Sequence, residues 1–215
     1  MRQRNTTMSI DFVWFMAMTD RAFLILHGWQ NHRPPAHWQF WLAERLRQRG
    51  ELVLYPQLPS PDEPVLEEWL ALLRAELAML GEGERIIICH SLSCLLWLRH
   101  AASAEPEHVV DRLLLVCPPG TSSLPHELGT FFPAPGDREA LTGSVRRQPE
   151  LVCTDADPWC REGAAEVYGE PLGTRVHVVE RGGHLAAEDG YGPWPAVERW
   201  ALHGSFGPAP VAALV

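Results

Sequence analysis

Arg85-Ile86-Ile87-Ile88-Cys89-His90-Ser91-Leu92-Ser93-Cys94-Leu95-Leu96 is a β-branched run that breaks at a serine and turns at once into an apolar helix. A serine hydroxyl is a poor nucleophile at its own pKa, so it needs a neighbouring base and a position that pushes its oxygen clear of the surrounding chain. A tight strand-to-helix turn supplies the position. Its common form is G-x-S-x-G, with glycines where strand and helix nearly touch. Here Cys89 and Ser93 hold the outer positions. Both are small, which is the property the turn demands.

Outward from this turn, strands and helices alternate. Ala22-Phe23-Leu24-Ile25-Leu26 reads as a strand buried on both faces, ending at His27-Gly28. Trp38, Trp41, Leu42 and Leu46 share a helical face, and Gly50 ends that helix. Leu52-Val53-Leu54-Tyr55 is a second strand, closed by a proline-rich loop from Pro56 to Pro64. Leu66, Trp69, Leu70, Leu73, Leu77 and Leu80 recur at helical steps before the Gly81-Glu82-Gly83 turn.

Beyond the serine turn, helix is expected to about Ala102, then strands at 112–117, 150–153 and 175–179, a helix near 161–169, and a closing helix from Trp194 to about Leu202. Strands separated by helices of this length are parallel and joined by right-handed crossovers. The expectation is an α/β fold: a three-layer, doubly wound, mostly parallel sheet with helices on both faces. Residues 119–148, rich in Pro, Gly, Ser and Thr, read as a surface excursion forming a minimal lid. Residues 21–203 form a single domain in this reading, with 1–20 a flexible leader or mis-assigned start and 204–215 a frayed tail.

A chain of 215 residues with 46% hydrophobic and 21% charged residues is ordinary for one globular domain. The net charge of −9, without a basic block, repels a phosphate backbone and argues against a nucleic-acid partner. Asp11 and Asp20 interrupt the early apolar residues, so no signal peptide or membrane segment is expected. Cys89, Cys94, Cys117, Cys153 and Cys160 are odd in number and lack C-x-x-C spacing. Free thiols in a reducing cytoplasm fit them, and neither a metal nor another cofactor is expected.

The chemistry gathers past the carboxyl ends of the expected strands, where open parallel sheets bind ligands. Ser91 follows one strand, Thr154-Asp155-Ala156-Asp157-Pro158 the next but one, and Arg181-Gly182-Gly183-His184 the last. The order Ser, Asp, His suits a nucleophile, an orienting acid and a general base. Ser91 attacks a carbonyl, His184 takes its proton, and an aspartate holds the imidazole. Oxyanion donors are expected from the backbone N–H groups of Leu92 and of Trp29, in the His27-Gly28-Trp29 loop. Gly28 and Trp159 are candidates for the substrate pocket, with Trp29 beside them; Trp38 is a further candidate, but like the remaining tryptophans it is read first as a core and helix-packing residue.

His27-Gly28-Trp29, Trp38 with Trp41-Leu42, Pro56 to Pro61 followed by Glu67-Glu68-Trp69, and His90-Ser91-Leu92 resemble the small serine hydrolases of the YdeN-like and retinoblastoma-binding-protein-nine type. Asp157-Pro158, Gly182-Gly183-His184 and Gly190-Tyr191-Gly192-Pro193-Trp194-Pro195 extend the similarity over about residues 21–202. That family's elbow reads His-Ser-Leu-Gly, with Ser93 in the place of the last glycine here. The resemblance implies a compact α/β-hydrolase fold and cytoplasmic serine hydrolase activity but gives no substrate; the small-molecule acyl substrate, an ester, thioester or amide, is expected from the Ser-His-Asp chemistry itself.

Each assignment has a plainer alternative. Ser91 is also a residue type that caps helices, and His184 one of ten histidines. Asp155 and Asp189 compete with Asp157 for the acid; Asp157 is preferred because it precedes Pro158, as in the family's pattern. His27 is read as shaping the oxyanion loop and His90 as packing beside the turn. Cys89 and Cys94 are read as packing residues. The rival to catalysis is a binding or interaction protein that keeps the fold after drift at Cys89 and Ser93. Acyl transfer or lyase chemistry by the same triad is a third reading.

Overall fold

The apolar runs become strands because they bury both faces, and the strand period of two sorts their side chains into two cores. The computed structural model describes residues 20–103, 109–121 and 125–207. The expected leader falls outside these residues except for Asp20, and the expected tail lies outside them from 208 on. Six strands run in parallel: β1 (Arg21–Leu26), β2 (Leu52–Leu54), β3 (Glu84–His90), β4 (Arg112–Val116), β5 (Glu150–Thr154) and β6 (Arg175–Val179). Their order across the sheet is β2-β1-β3-β4-β5-β6. The expected doubly wound, mostly parallel sheet is therefore present, with the serine-bearing strand β3 at its centre.

On one face Leu24, Leu26, Ile87, Cys89, Leu113, Leu115, Leu151 and Cys153 pack with Trp69 and Trp97. On the other, Phe23, Ile25, Ile86, Ile88, Leu114, Val116 and Val152 pack with Trp38, Trp194 and Trp200. A fully buried Leu or Ile contributes roughly 1.5–3 kcal/mol. A slip of one residue would exchange the two faces of a strand, so the register is strongly set. It places Leu26 opposite Cys89 and His90 opposite Val116.

The helices close both layers. The face containing Trp69 and Trp97 is covered by α2 (Leu66–Ala78), α3 (Leu92–Ala102), α4 (Arg138–Gly143) and α5 (Ala164–Tyr168). The opposite face is covered by α1 (Trp38–Gln48) and α6 (Pro195–His203). The helix read near 161–169 is only Ala164–Tyr168, because Gly163 and Gly169 flank it in non-helical conformations. Leu80, read as helical, lies beyond the end of α2 yet is buried. At the amino end of the sheet, buried Arg112 pairs with Glu84 and donates to the carbonyls of Trp200 and Ala201, satisfying the last turn of α6.

The excursion after β4 holds a 3-10 turn at His126–Phe131 and α4. Leu128, Phe131 and Leu141 are buried in the first core, and Phe131 meets Trp69 edge-on at 5.3 Å. Among the described residues no helix is long and apolar enough to cross a membrane.

Candidate active site

Ser91 stands between the end of β3 and the start of α3 with φ 58° and ψ −126°. An L-residue pays strain for this conformation, so the surroundings must hold it. Ser91 N–H donates to the Val116 carbonyl at 2.9 Å, tying the turn to the end of β4. Its side chain makes no capping bond to α3, which sets aside the plain N-cap alternative.

Ser93 shows why a residue other than glycine fits the turn. Its Oγ accepts from the His90 N–H at 2.9 Å and donates to the Leu26 carbonyl at 2.8 Å, with the His90 carbonyl as a second acceptor at 2.9 Å. The hydroxyl thus pins the turn to the end of β1. Cys89 and Cys94 are fully buried, and burial pushes both thiols well above the usual range, so they are inert packing residues. All five cysteines are buried free thiols.

Gly28 presses directly on the turn. A Cβ there would stand 2.6 Å from Ser91 Cβ and 3.0 Å from Ser91 Oγ. Gly28→Ala is expected to lower kcat/KM about a hundredfold through displacement of the serine, with the far-UV circular dichroism unchanged. Retained turnover would mean that the loop yields without moving Ser91. The Trp29 indole donates to the Asp62 carbonyl at 3.0 Å. The backbone N–H groups of Trp29 and Leu92 meet no protein acceptor among the described residues.

His184 reaches the site from the loop after β6. Its Nε2 lies 2.9 Å from Ser91 Oγ, and its Nδ1 lies 2.9 and 3.0 Å from the two oxygens of Asp157. Asp157 also accepts from the Trp159 N–H at 2.9 Å, the first N–H available beyond Pro158. The other two acids serve the backbone. Asp155 accepts from the Arg181 N–H. Asp189 accepts from the N–H groups of His184 at 2.8 Å and Ala186 at 3.2 Å, bracing the loop that carries His184.

Ser91, Leu92, His184, Gly28, Trp29 and Trp159 line one cavity of about 260 Å³. The Trp29 and Trp159 rings meet edge-on at 6.0 Å. Trp38 does not join them: it is fully buried in the second core, where its indole donates to the Leu185 carbonyl. Of the two readings open to Trp38, the core and helix-packing role favoured by its helical periodicity is the one it has, and the pocket role falls away. No described residue of 125–148 lines the cavity.

Several cavity residues carried no sequence signal of a role. His37 and Glu188 are among them. Cys117, with φ 47°, places its sulfur within 4.8 Å of the ligand-type atoms of Asp157 and His184, which makes this trio the one grouping a cation could use among the described residues. Its only sequence mark is its position directly after β4.

Three neutral histidines surround the site. Burial pushes His27 and His37 down to about 4 and His90 well below its ordinary value. His27 donates from Nδ1 to the Gly28 carbonyl at 2.8 Å, while its Nε2 accepts from the Leu58 N–H at 2.9 Å. The ring thereby holds the loop in shape, as the sequence led one to expect. A histidine with a lowered folded pKa contributes stability that is complete above about pH 6.5 and is lost as the pH falls toward 4. For His27 and His37 the loss is roughly 3 kcal/mol each. Thermal melting should therefore show Tm falling steadily from pH 6.5 to 4.5, and a flat profile over that window would contradict neutral burial.

The chain is 25% identical to YdeN of Bacillus subtilis (strain 168), which carries the provisional name of a hydrolase, over 84% of this chain and 93% of that protein. The crystal structure of the ydeN gene product superposes with a TM-score of 0.73 at 23% identity, covering 85% of this chain and 97% of the other. The thioesterase domain from the curacin biosynthetic pathway matches with a TM-score of 0.59 at 14% identity, over 86% and 92% of the two chains. A carboxylesterase structure from the thaumarchaeon Nitrososphaera gargenis matches with 0.56 at 14% identity, over 78% and 85%. These likenesses in structure establish the shared α/β-hydrolase fold. Residues 23–201 match the family described as serine hydrolase, and with that span covering most of its length the chain belongs to the serine hydrolase family, as a YdeN-like hydrolase.

Proposed function

We propose that this hydrolase is a carboxylesterase-like enzyme that cleaves a small ester, thioester or amide through an acyl-enzyme on Ser91. The observation that carries the reading is the unbroken hydrogen-bonded line from Asp157 through His184 to Ser91 Oγ, with both imidazole contacts at 2.9 Å. It supports catalysis over the rival binding-protein reading, which a separation of Ser91 and His184 beyond hydrogen-bond reach would have favoured. The carboxylesterase and thioesterase functions of two structural relatives are consistent with an acyl substrate.

In this mechanism His184 Nε2 takes the Ser91 proton as Oγ attacks the carbonyl carbon, and Asp157 holds Nδ1–H and balances the imidazolium charge. The N–H groups of Leu92 and Trp29 receive the oxyanion, aided by the positive end of α3. His184 then gives its proton to the leaving group. Water enters, loses a proton to His184 and releases the acid, restoring the serine. No step calls on a metal or organic cofactor. We also place the activity in residues 21–203 acting as a single cytoplasmic domain on a small-molecule acyl substrate, without a nucleic-acid or membrane partner.

The test is labelling by a fluorophosphonate probe together with a panel of p-nitrophenyl esters of increasing acyl length. Labelling is expected, with turnover highest for short acyl chains, since the cavity is only about 260 Å³. Protein that is neither labelled nor active on any ester would sink the reading.

A further inference from the structure

The loop that presents the Trp29 N–H is tied down by a chain of hydrogen bonds that begins on a half-buried arginine. Trp29 is followed by Gln30 at φ 56° and, three residues further, by Arg33 at φ 54°, conformations that L-residues adopt only where the surroundings hold them. Arg33 Nε donates to Gln57 Oε1 at 3.3 Å, and its Nη1 donates to the Tyr55 carbonyl at 2.6 Å. The Gln57 amide gives its two N–H groups to His27 Nε2 at 2.9 Å and to the Asn31 carbonyl at 3.1 Å. His27 Nδ1–H donates in turn to the Gly28 carbonyl at 2.8 Å. Every direction in this chain is forced. A guanidinium only donates and a carbonyl only accepts, so the Gln57 oxygen faces Arg33 and its nitrogen faces Asn31. His27 Nε2 also receives the Leu58 N–H at 2.9 Å, so it is an acceptor and the ring proton sits on Nδ1. Burial, and to a smaller degree the Arg33 charge, keep that ring neutral.

The Gly28 carbonyl at the end of the chain belongs to the same peptide unit as the Trp29 N–H. That peptide is trans, so its C=O and N–H point to opposite sides. A bond accepted by the oxygen draws electron density from the nitrogen and makes its N–H a stronger donor, as in any polarised run of hydrogen bonds. We infer that Arg33 and Gln57 are positioning residues of the oxyanion site: acting through His27, they aim and polarise the Gly28–Trp29 peptide, whose N–H meets the negative oxygen formed when Ser91 attacks. The inference rests on the serine hydrolase mechanism given above, in which the Trp29 N–H is an oxyanion donor. Neither Arg33 nor Gln57 lines the cavity, so neither contributes to holding the substrate before reaction. Their effect is felt only once charge has formed on the oxygen.

The experiment measures kcat and KM, on the p-nitrophenyl ester that the parent turns over fastest, for the parent, Gln57→Met, Arg33→Met and the double variant. Methionine keeps an unbranched side chain and removes the hydrogen-bonding end, while the Leu58 N–H stays on His27 and preserves its tautomer. Losing an oxyanion donor outright costs about a hundredfold or more in kcat, and weakening one is expected to cost about tenfold, with KM unchanged within about twofold. A chain broken at one link transmits nothing through the others, so the double variant should lose no more than the larger single loss, whereas independent packing roles would multiply. Arg33→Lys, which keeps the cation and a donor, should recover part of what Arg33→Met loses. An unchanged kcat in Gln57→Met, losses carried by KM, or losses that multiply in the double variant would each overturn the inference and leave the serine hydrolase reading standing. If Gln57→Met does not fold, the Arg33 variants decide: a lower kcat in Arg33→Met than in Arg33→Lys at equal KM supports the chain, and equal kcat values overturn it. Protein that escapes fluorophosphonate labelling and turns over none of the esters would overturn both readings.

Discussion

Ser91→Ala is expected to lower kcat by roughly a million-fold for any ester the protein hydrolyses, and to abolish labelling by a fluorophosphonate. The expectation follows from the position of Oγ. Among the described residues the hydroxyl is the one group of nucleophilic type within hydrogen-bond distance of the His184 Nε2, at 2.9 Å, and the backbone at φ 58° holds it out from the helix it precedes. Its removal takes away the bond-forming atom, whereas the strain of the turn stays, because alanine meets the same backbone restriction as serine. The fold is held by the two cores and by the Ser91 N–H bond to Val116, so Tm should shift by no more than a few degrees. If the variant were labelled as strongly as the parent, Ser91 would not be the nucleophile, and the buried, high-pKa thiols would have no claim to replace it.

Asp157→Asn is the second large effect, expected at about ten-thousand-fold in kcat. The carboxylate accepts from His184 Nδ1–H and so keeps the lone pair on Nε2, facing the serine. An amide in its place can present its NH₂ to Nδ1, which favours the opposite tautomer and leaves Nε2 protonated. Asp155→Asn is expected to change kcat by only a few-fold, since Asp155 is exposed and its oxygen meets the Arg181 N–H, which an amide oxygen can still do. Asp189→Asn likewise keeps an acceptor for the backbone of the His184 loop. Equal losses in the Asp155 and Asp157 variants would remove the distinction between the two acids.

Much of this protein is legible in its sequence because its sheet is buried on both faces. Continuous apolar runs such as Phe23 to Leu26 and Ile86 to Cys89 cannot be mistaken for amphipathic strands, and the leucines and tryptophans of α1 and α2 recur at the helical period. The ends of elements were less legible. The helix after β5 is shorter than its composition implied, because Gly163 and Gly169 allow the chain to leave the helical region at both ends. Trp38 was legible as a core residue from its helical periodicity, whereas Trp29 and Trp159, on loops without a period, needed the tertiary structure to place them at the cavity.

What the sequence alone determined is the alternation of elements, hence the parallel sheet, and the positions of Ser91, the two nearby aspartates and His184 past the ends of their strands. Those properties depend on local periodicity and chain order. Only the tertiary structure decided which aspartate meets His184, how Ser93 replaces a glycine, and which histidines face the cavity. Asp155 and Asp157 differ by two residues in the chain, but their oxygens bond to different partners, the Arg181 N–H and the His184 ring. Ser93 fits because its hydroxyl finds the Leu26 carbonyl on a neighbouring strand, a partner that no local reading of the turn includes. Such partnerships depend on contacts between residues far apart in sequence, whose directions are fixed only when the two cores pack on the sheet.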